Sequence, residues 1–243
     1  MRHYSDFNIP VKNATVALGK FDGMHIGHRA VIEELASFQK SVLISFVDSR
    51  RDIIYTETEK EHVLNGLGIE NMVSISADMF ENTGCETFVK KYLVDTLQTK
   101  TVIAGENHYR LGELESVCEK YGINVKVIPP VKNGTETITS EIIRTSLQNN
   151  VKEAIKLLGG SYVIAGPVIH GKGVGRKYGM PTANQYIAPN RLWPEYGVYA
   201  SVVRLGEQTF KGITNIGLRP SGDSIPFPSC ETLILDFNEQ IYG

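Results

Sequence analysis

The chain has 243 residues with 25 Lys and Arg against 27 Asp and Glu, long enough for two modest domains but too evenly charged for the broad positive field that holds a protein on duplex nucleic acid or an anionic membrane. Any phosphate it binds has to be gripped locally. Its three cysteines, Cys85, Cys118 and Cys230, lie far apart and form no C-x-x-C pair, which argues against a disulfide framework or zinc ribbon and for a reducing compartment.

No segment approaches the roughly 18 apolar residues of a membrane span, and the N-terminus has no long apolar stretch beside a cleavage-type site. The expectation is a cytoplasmic protein with small-molecule partners, no nucleic acid and no membrane; its oligomeric state is not readable. From Thr15 to about Ile128 short apolar runs alternate with helical patterns. "TVAL" precedes a helix from Ile26 through Phe38, "SVLISF" one around Glu59 to Leu67, "MVSIS" the stretch "CETFVKKYLVDTL", and "TVIAG" a stretch ending near Tyr121, before a last run "NVKVI". Strand and helix alternating in this way predict a parallel sheet covered on both faces, which binds ligands at the carboxyl ends of its strands. After the loop "PPVKNGTET" the pattern predicts two helices, Ser140 to Leu147 and Val151 to Leu158. From Ser161 the runs turn β-like, "YVIAGPVI", "GVYASVV", "TFKGITNIG" and "ETLILDF", separated by Gly, Pro and Asn. They predict a small antiparallel barrel or sandwich, with the boundary near Leu158 to Ser161.

Two stretches carry the chemistry. "KFDGMHIGH", Lys20 to His28, follows the first strand of the alternating region. A glycine-flanked turn into a helix presents main-chain N–H groups and the positive end of the helix dipole to an anion, and histidines there add hydrogen bonds to phosphate oxygens. A His pair also supplies two of the roughly four ligands of a closed zinc site, but no Cys or acidic partner stands at ligand spacing nearby. A turn whose histidines only satisfy the loop is the third reading. The second stretch, "GPVIHGKGVGRKYGMPTAN", joins closely spaced glycines to Lys172, Arg176 and Lys177 and ends in Thr182 and Asn184. Its glycines allow close approach to phosphate, and its hydroxyl and amide oxygens suit Mg²⁺. It lacks the Gly-Lys-Ser/Thr of a Walker A loop, and by composition alone a flexible hairpin tip explains it.

The first stretch resembles the "GxFDGxHxGH" signature of the nucleotidyltransferase superfamily, specifically the adenylyltransferase module of the bacterial bifunctional riboflavin kinase/FAD synthetases. The likeness continues in order through "AGENHYRLG", "ITSEIIRTSL" and "LLGGSYVIAGPVIHGKGVGRKYGMPTANQYI". It implies an α/β chain: a Rossmann-like nucleotidyltransferase domain over 1–158, then an antiparallel β-barrel riboflavin kinase domain over 159–243 that lacks the usual C-terminal end. The implied activity is flavin nucleotide synthesis. Riboflavin is phosphorylated to FMN and FMN adenylylated to FAD, with ATP as substrate and Mg²⁺ as cofactor.

The resemblance also implies site residues. His25 and His28 would steady the ATP phosphates, with Gly19, Phe21, Asp22, Gly23, Asn107, Ser140 and Arg144 in the same nucleotide site. In the second domain Gly171, Gly173, Gly175 and Arg176 would cover ATP, Thr182 and Asn184 would hold Mg²⁺ and nucleotide, and Glu231 of "ETLILDF" would be the general base. The chain departs from the family pattern at Glu141, where a threonine is usual, at "SFVDSRRD", where the family has "PHP", and at Ser221 of "NIGLRPSG". Glu141 and the absent "PHP" favour a second reading, a riboflavin kinase with a degenerate adenylyltransferase domain, and the missing C-terminal end favours a third, a non-catalytic flavin- or nucleotide-binding regulator. Trp193, His62, His108 and His170 have no role readable from sequence, and Cys85 and Cys118 read as small core residues.

Overall fold

The computed structural model describes residues 1–48, 52–171, 180–221 and 224–242, with 219–221 and 224–227 as backbone alone. Between Arg2 and Ile128 it alternates β1 (Arg2–Tyr4), β2 (Thr15–Gly19), α1 (Ile26–Ala36), β3 (Ser41–Val47), α2 (Glu57–Asn65), β4 (Asn71–Ser76), α3 (Ala77–Thr83), α4 (Cys85–Phe88) with a π-helical continuation (Val89–Thr96), β5 (Thr101–Gly105), α5 (Leu111–Lys120) and β6 (Asn124–Ile128). The six strands pair in parallel in the order β1-β4-β3-β2-β5-β6. The chain winds outward from β2 through β3 to β4, then returns to add β5 and β6 on the other side. Winding therefore reverses between β2 and β5, and a crevice opens there at the carboxyl ends of the strands.

Successive strand residues point to opposite faces, so each apolar strand feeds two cores. Val16, Leu18, Val42, Ile44, Val102 and Ala104 pack with Phe80, Phe88, Leu93 and Leu114 of the α3 to α5 region. Ala17, Leu43, Met72 and Ile103 pack on the other face with Val31, Ile32 and Leu35 of α1 and Val63 and Leu64 of α2. Beyond a two-stranded ribbon, β7 (Lys132–Asn133) and β8 (Glu136–Thr137), come α6 (Ser140–Asn149) and α7 (Val151–Leu158). Their Ile143, Leu147, Ala154, Leu157 and Leu158 complete the second core.

The remaining strands, β9 (Val168–Ile169), β10 (Thr182–Gln185), β11 (Gly197–Leu205), β12 (Gln208–Ser221) and β13 (Ser224–Ile234), make one antiparallel sheet in the order β11-β12-β13-β10-β9. The expected parallel-then-antiparallel architecture is present. Two details differ from the sequence pattern. A short polar segment, Arg2–Tyr4, becomes edge strand β1 by pairing with β4. "YVIAGPVI" is strand only at Val168–Ile169, because its earlier main-chain groups are taken by side chains. Val163 N donates to Tyr55 Oη at 3.3 Å, Ala165 N to Glu59 Oε1 at 3.0 Å, and Val163 O accepts from Arg191 Nη2 at 2.7 Å. Tyr162, Val163 and Leu192 thus join the second core although they follow Leu158 in sequence.

Candidate active site

The loop after β2 forms the floor of the crevice. It holds Phe21 at φ 47°, Gly23 at φ 83° and Met24 at φ 46°. Two non-glycine residues in the left-handed region within four positions mark a conformation that its surroundings must hold in place. A Cβ on Gly23 would also stand 2.9 Å from Ile54 Cδ1. The anchors are identifiable. Asp22 Oδ1 accepts from Ile54 N at 2.8 Å, Asp22 Oδ2 is ion-paired with Arg144 Nη2, and Ser140 Oγ donates to Asp22 O at 2.9 Å. Arg144 Nη1 donates to Asp52 O at 2.5 Å. Ser140 and Arg144, which the family resemblance implies as phosphate binders, are in this structure committed to the shape of the loop. The short reach from α6 to the loop explains it.

The loop delivers His25 as N-cap of α1, where its Nδ1 accepts from His28 N at 3.3 Å. With Nδ1 accepting, the neutral ring carries its proton on Nε2, a donor. The His25 and His28 rings stack with centroids 3.8 Å apart, and the Phe21 ring stands edge-on 5.4 Å from His28. Burial lowers the His25 pKa from 6.5 to about 4. That of His28 is pushed well down by burial first, then by the charges of His25 and Lys60. Part of His28 reaches the cleft surface, yet its Nδ1 is shielded from solvent and has no hydrogen-bond partner. Both rings are therefore neutral at pH 7, and a polyphosphate beside them would favour their protonated forms.

These rings line a cavity of about 290 Å³ with Gly19, Phe21, Asn107, His108, Thr139 and Ser140. The N-terminal turns of α1 and α6 both open on it, so two positive dipole ends and their free amides converge on one space. A smaller cavity of about 90 Å³ shares Lys20 and Ser140 with it and adds Asp22, Asp48, Glu57, Lys60 and Arg144. Lys60 was missed in the sequence, and His108, which had no role readable there, lines the larger cavity. His108 pKa falls to about 4 through burial and then Arg110, and its Nε2 is buried without a partner. Lys60 is buried on α2 and donates to Lys20 O at 3.0 Å, Ser45 Oγ at 2.9 Å and Glu57 Oε1 at 2.7 Å. Its signal was available: Glu59 and Lys60 sit one helical turn before the apolar Val63 and Leu64. Glu141 is exposed at 72 % of its side chain and lies 3.8 Å from Arg144 Nε. It is not buried against the cavity. The zinc reading finds no third ligand, since no group of three or more His, Cys, Asp and Glu gathers among the described residues.

The second constellation lies on the antiparallel sheet. Glu231 sits between Asn184 of β10 and Asn215 of β12, and Thr182 pairs with Leu233 two positions on. Period-two alternation puts Thr182, Asn184 and Glu231 on one face, bringing hydroxyl, amide and carboxylate together. Gly171 backs against this group, where a Cβ would stand 2.8 Å from Asn184 Cγ. A side chain at this position would displace the Asn184 amide. Gly173, Gly175 and Arg176 lie outside the described residues. His170 stacks on Tyr242 with centroids 4.0 Å apart, and Trp193 is half-buried between buried Leu192 and Pro194.

A switch-point cleft fed by two helix N-termini, joined to a sheet bearing hard oxygen donors, defines a nucleotide-handling transferase with two candidate sites. Family models agree in both halves: the FAD synthetase model matches residues 9–142 and the riboflavin kinase model residues 158–243. The bifunctional riboflavin kinase/FMN adenylyltransferase of Listeria monocytogenes is 31% identical, the match covering 95% of this chain and 81% of that protein. Those of Bacillus subtilis and Escherichia coli are 30% and 29% identical, over 95% and 96% of this chain and 80% and 82% of theirs. The chain belongs to the bifunctional riboflavin kinase/FMN adenylyltransferase family, whose work is flavin nucleotide biosynthesis. A crystal structure described as a macrolide-efflux protein from Streptococcus pneumoniae superposes with TM-score 0.74 at 25% identity, over 100% of this chain and 86% of that one. Among the described residues no helix is long and apolar enough to cross a membrane.

Proposed function

We propose that the N-terminal half, nominally 1–158, adenylylates FMN, and that the C-terminal half, nominally 159–243, phosphorylates riboflavin, with ATP consumed at both sites. The observation that carries the first assignment is the stacked His25–His28 pair at the N-terminus of α1, inside a cavity of about 290 Å³ at the sheet's switch point. An FMN phosphate oxygen attacks the α-phosphorus of ATP, the bond to the bridging oxygen breaks, and pyrophosphate leaves. No covalent bond to the protein is needed, so the chain's task is positioning and charge stabilisation. The α1 and α6 amides and His25 Nε2–H donate to the phosphates. His28 takes up a proton from solvent as ATP binds, and the resulting imidazolium faces the negative charge that builds on the leaving group. Phe21, Gly19 and Asn107 wall the nucleotide, and Asp22, Ser140 and Arg144 hold the loop in register.

In the C-terminal half Glu231 accepts the proton of the riboflavin 5′-hydroxyl as that oxygen attacks the γ-phosphorus in line, releasing ADP. Thr182 and Asn184 are hard donors of the kind that hold Mg²⁺. With no all-protein metal cage among the described residues, they fit an ion that arrives with the ATP phosphates. When bound, Mg²⁺ neutralises phosphate charge.

The test is one time course. Riboflavin, ATP and Mg²⁺ are incubated with the protein and the flavins separated, with FMN supplied directly in a parallel reaction. FMN followed by FAD is expected, and His28→Ala should abolish FAD while sparing FMN. FMN alone from wild-type protein would remove the N-terminal half as a catalyst. Unchanged riboflavin would remove the C-terminal half.

A further inference from the structure

Resting on the adenylyl-transfer reading above, we propose that Arg191, in the C-terminal half, is a positioning residue for the N-terminal reaction, acting through Glu59 and α2 on the loop that carries His25 and His28.

Arg191 and Glu59 form an ion pair whose side chains are both 0 % exposed. Arg191 Nε donates to Glu59 Oε1 and Oε2 at 2.8 and 3.1 Å, and Nη1 donates to Tyr162 Oη at 2.5 Å and Leu192 O at 3.0 Å. With Nη2 on Val163 O at 2.7 Å, the guanidinium fork is fixed in its plane. Glu59 is equally committed. Its other contacts are Thr56 N at 2.8 Å, which closes the capping box of α2, and Ala165 N at 3.0 Å.

The residue after Glu59 carries the coupling onward. Lys60 Nζ donates to Lys20 O at 3.0 Å, immediately before Phe21 in the strained loop. A second route runs in parallel. Ile53 N donates to Asn190 O at 2.8 Å and Leu192 N to Ile53 O at 2.7 Å, while the neighbouring Ile54 N donates to Asp22 Oδ1 at 2.8 Å. Two hydrogen-bonded routes thus begin within residues 190–192 and end within 20–22.

This is more than adhesion between halves, because the loop at their far end carries the His pair and holds two non-glycine residues, Phe21 and Met24, at positive φ, a geometry its anchors must maintain. Removing the fork leaves Glu59 buried without its cation. The first turn of α2 must then shift or take in water, and Lys60 moves with it. A small displacement of groups aligned on a reacting phosphate costs rate far more than it costs binding.

The test uses the full chain as Arg191→Met and as the double variant Glu59→Gln, Arg191→Met, which leaves no unpaired buried charge. FAD formation from FMN, FMN formation from riboflavin, thermal unfolding and hydrogen exchange of amides 19–28 are measured on each. We expect kcat for FAD formation to fall about tenfold or more in both variants with KM for ATP and FMN nearly unchanged, FMN formation to stay near wild type, and exchange in 19–28 to quicken. A folded double variant with wild-type FAD turnover overturns the proposal, as does an equal fall in both activities. Should Arg191→Met fail to fold, the double variant decides alone. His28→Ala runs beside them. If it still makes FAD, the site reading itself fails. If it makes none while the Arg191 variants turn over normally, only the coupling fails.

Discussion

Lowering the pH from 7 to 5 should destabilise this protein through the buried histidines of the cleft. His25 titrates at about 4 in the folded chain, because burial disfavours its charged form, against 6.5 for an ordinary histidine. The folded-state pKa is depressed, so below 6.5 the unfolded chain binds a proton that the folded chain does not. Stability is therefore intact above 6.5 and lost progressively as pH falls toward 4. At pH 5 the gap is about 1.5 units at roughly 1.4 kcal/mol per unit, or about 2 kcal/mol from His25 alone. His28 and His108 act in the same direction by the same cause. Carboxylates confuse the comparison little, since few change charge in this window. Urea unfolding followed by circular dichroism at pH 7 and pH 5 reads the effect, with His25→Asn as control because Asn can keep the cap acceptor on α1. Wild type should lose roughly 2 kcal/mol more than the variant over this interval. Equal losses, or a His25 ring titrating near 6.5 by NMR, would refute the claim that the pair is held neutral.

Other outcomes follow from the same geometry. Below pH 7, ATP binding should take up protons at the His pair, visible by calorimetry as heats that change with the buffer's ionisation enthalpy, and buffer-independent heats would count against phosphate contact there. Gly171→Ala should lower riboflavin phosphorylation at least about tenfold by displacing the Asn184 amide while FAD formation from supplied FMN persists; normal FMN output would mean the close approach is unimportant. Glu231→Gln should stop FMN formation and spare FAD formation, and wild-type FMN production would put the base elsewhere. Asp22→Asn should destabilise by about 3 kcal/mol in urea, because it leaves the Arg144 guanidinium short of a buried counter-charge, and should depress FAD more than FMN formation.

Much of the α/β half was legible because its signals are local. Strands such as "SVLISF" are apolar on both faces, and the turn at Lys20 to His28 announces itself by glycines beside histidines. Helix α7 matches its expected span, Val151–Leu158, because a strong amphipathic stripe is bounded by the Asn150 cap and Gly159. "YVIAGPVI" misled for the opposite reason. Its composition suits a strand, but strand formation needs a partner edge, and Tyr55, Glu59 and Arg191 claim its main chain first. β1 was invisible because three polar residues carry no period of their own.

By itself the sequence determined the order of elements, the two glycine-bearing stretches and the residue types offered to phosphate, since hydrophobic period, turn chemistry and motif spacing are properties of neighbours along the chain. Only the tertiary structure decided that His25 and His28 stack and stay neutral, that Arg144 and Ser140 brace the loop, that Thr182, Asn184 and Glu231 share a face, and that Glu59 meets Arg191 across 132 positions. Burial, and with it the cost of charge, depends on what folds over a residue rather than on what precedes it.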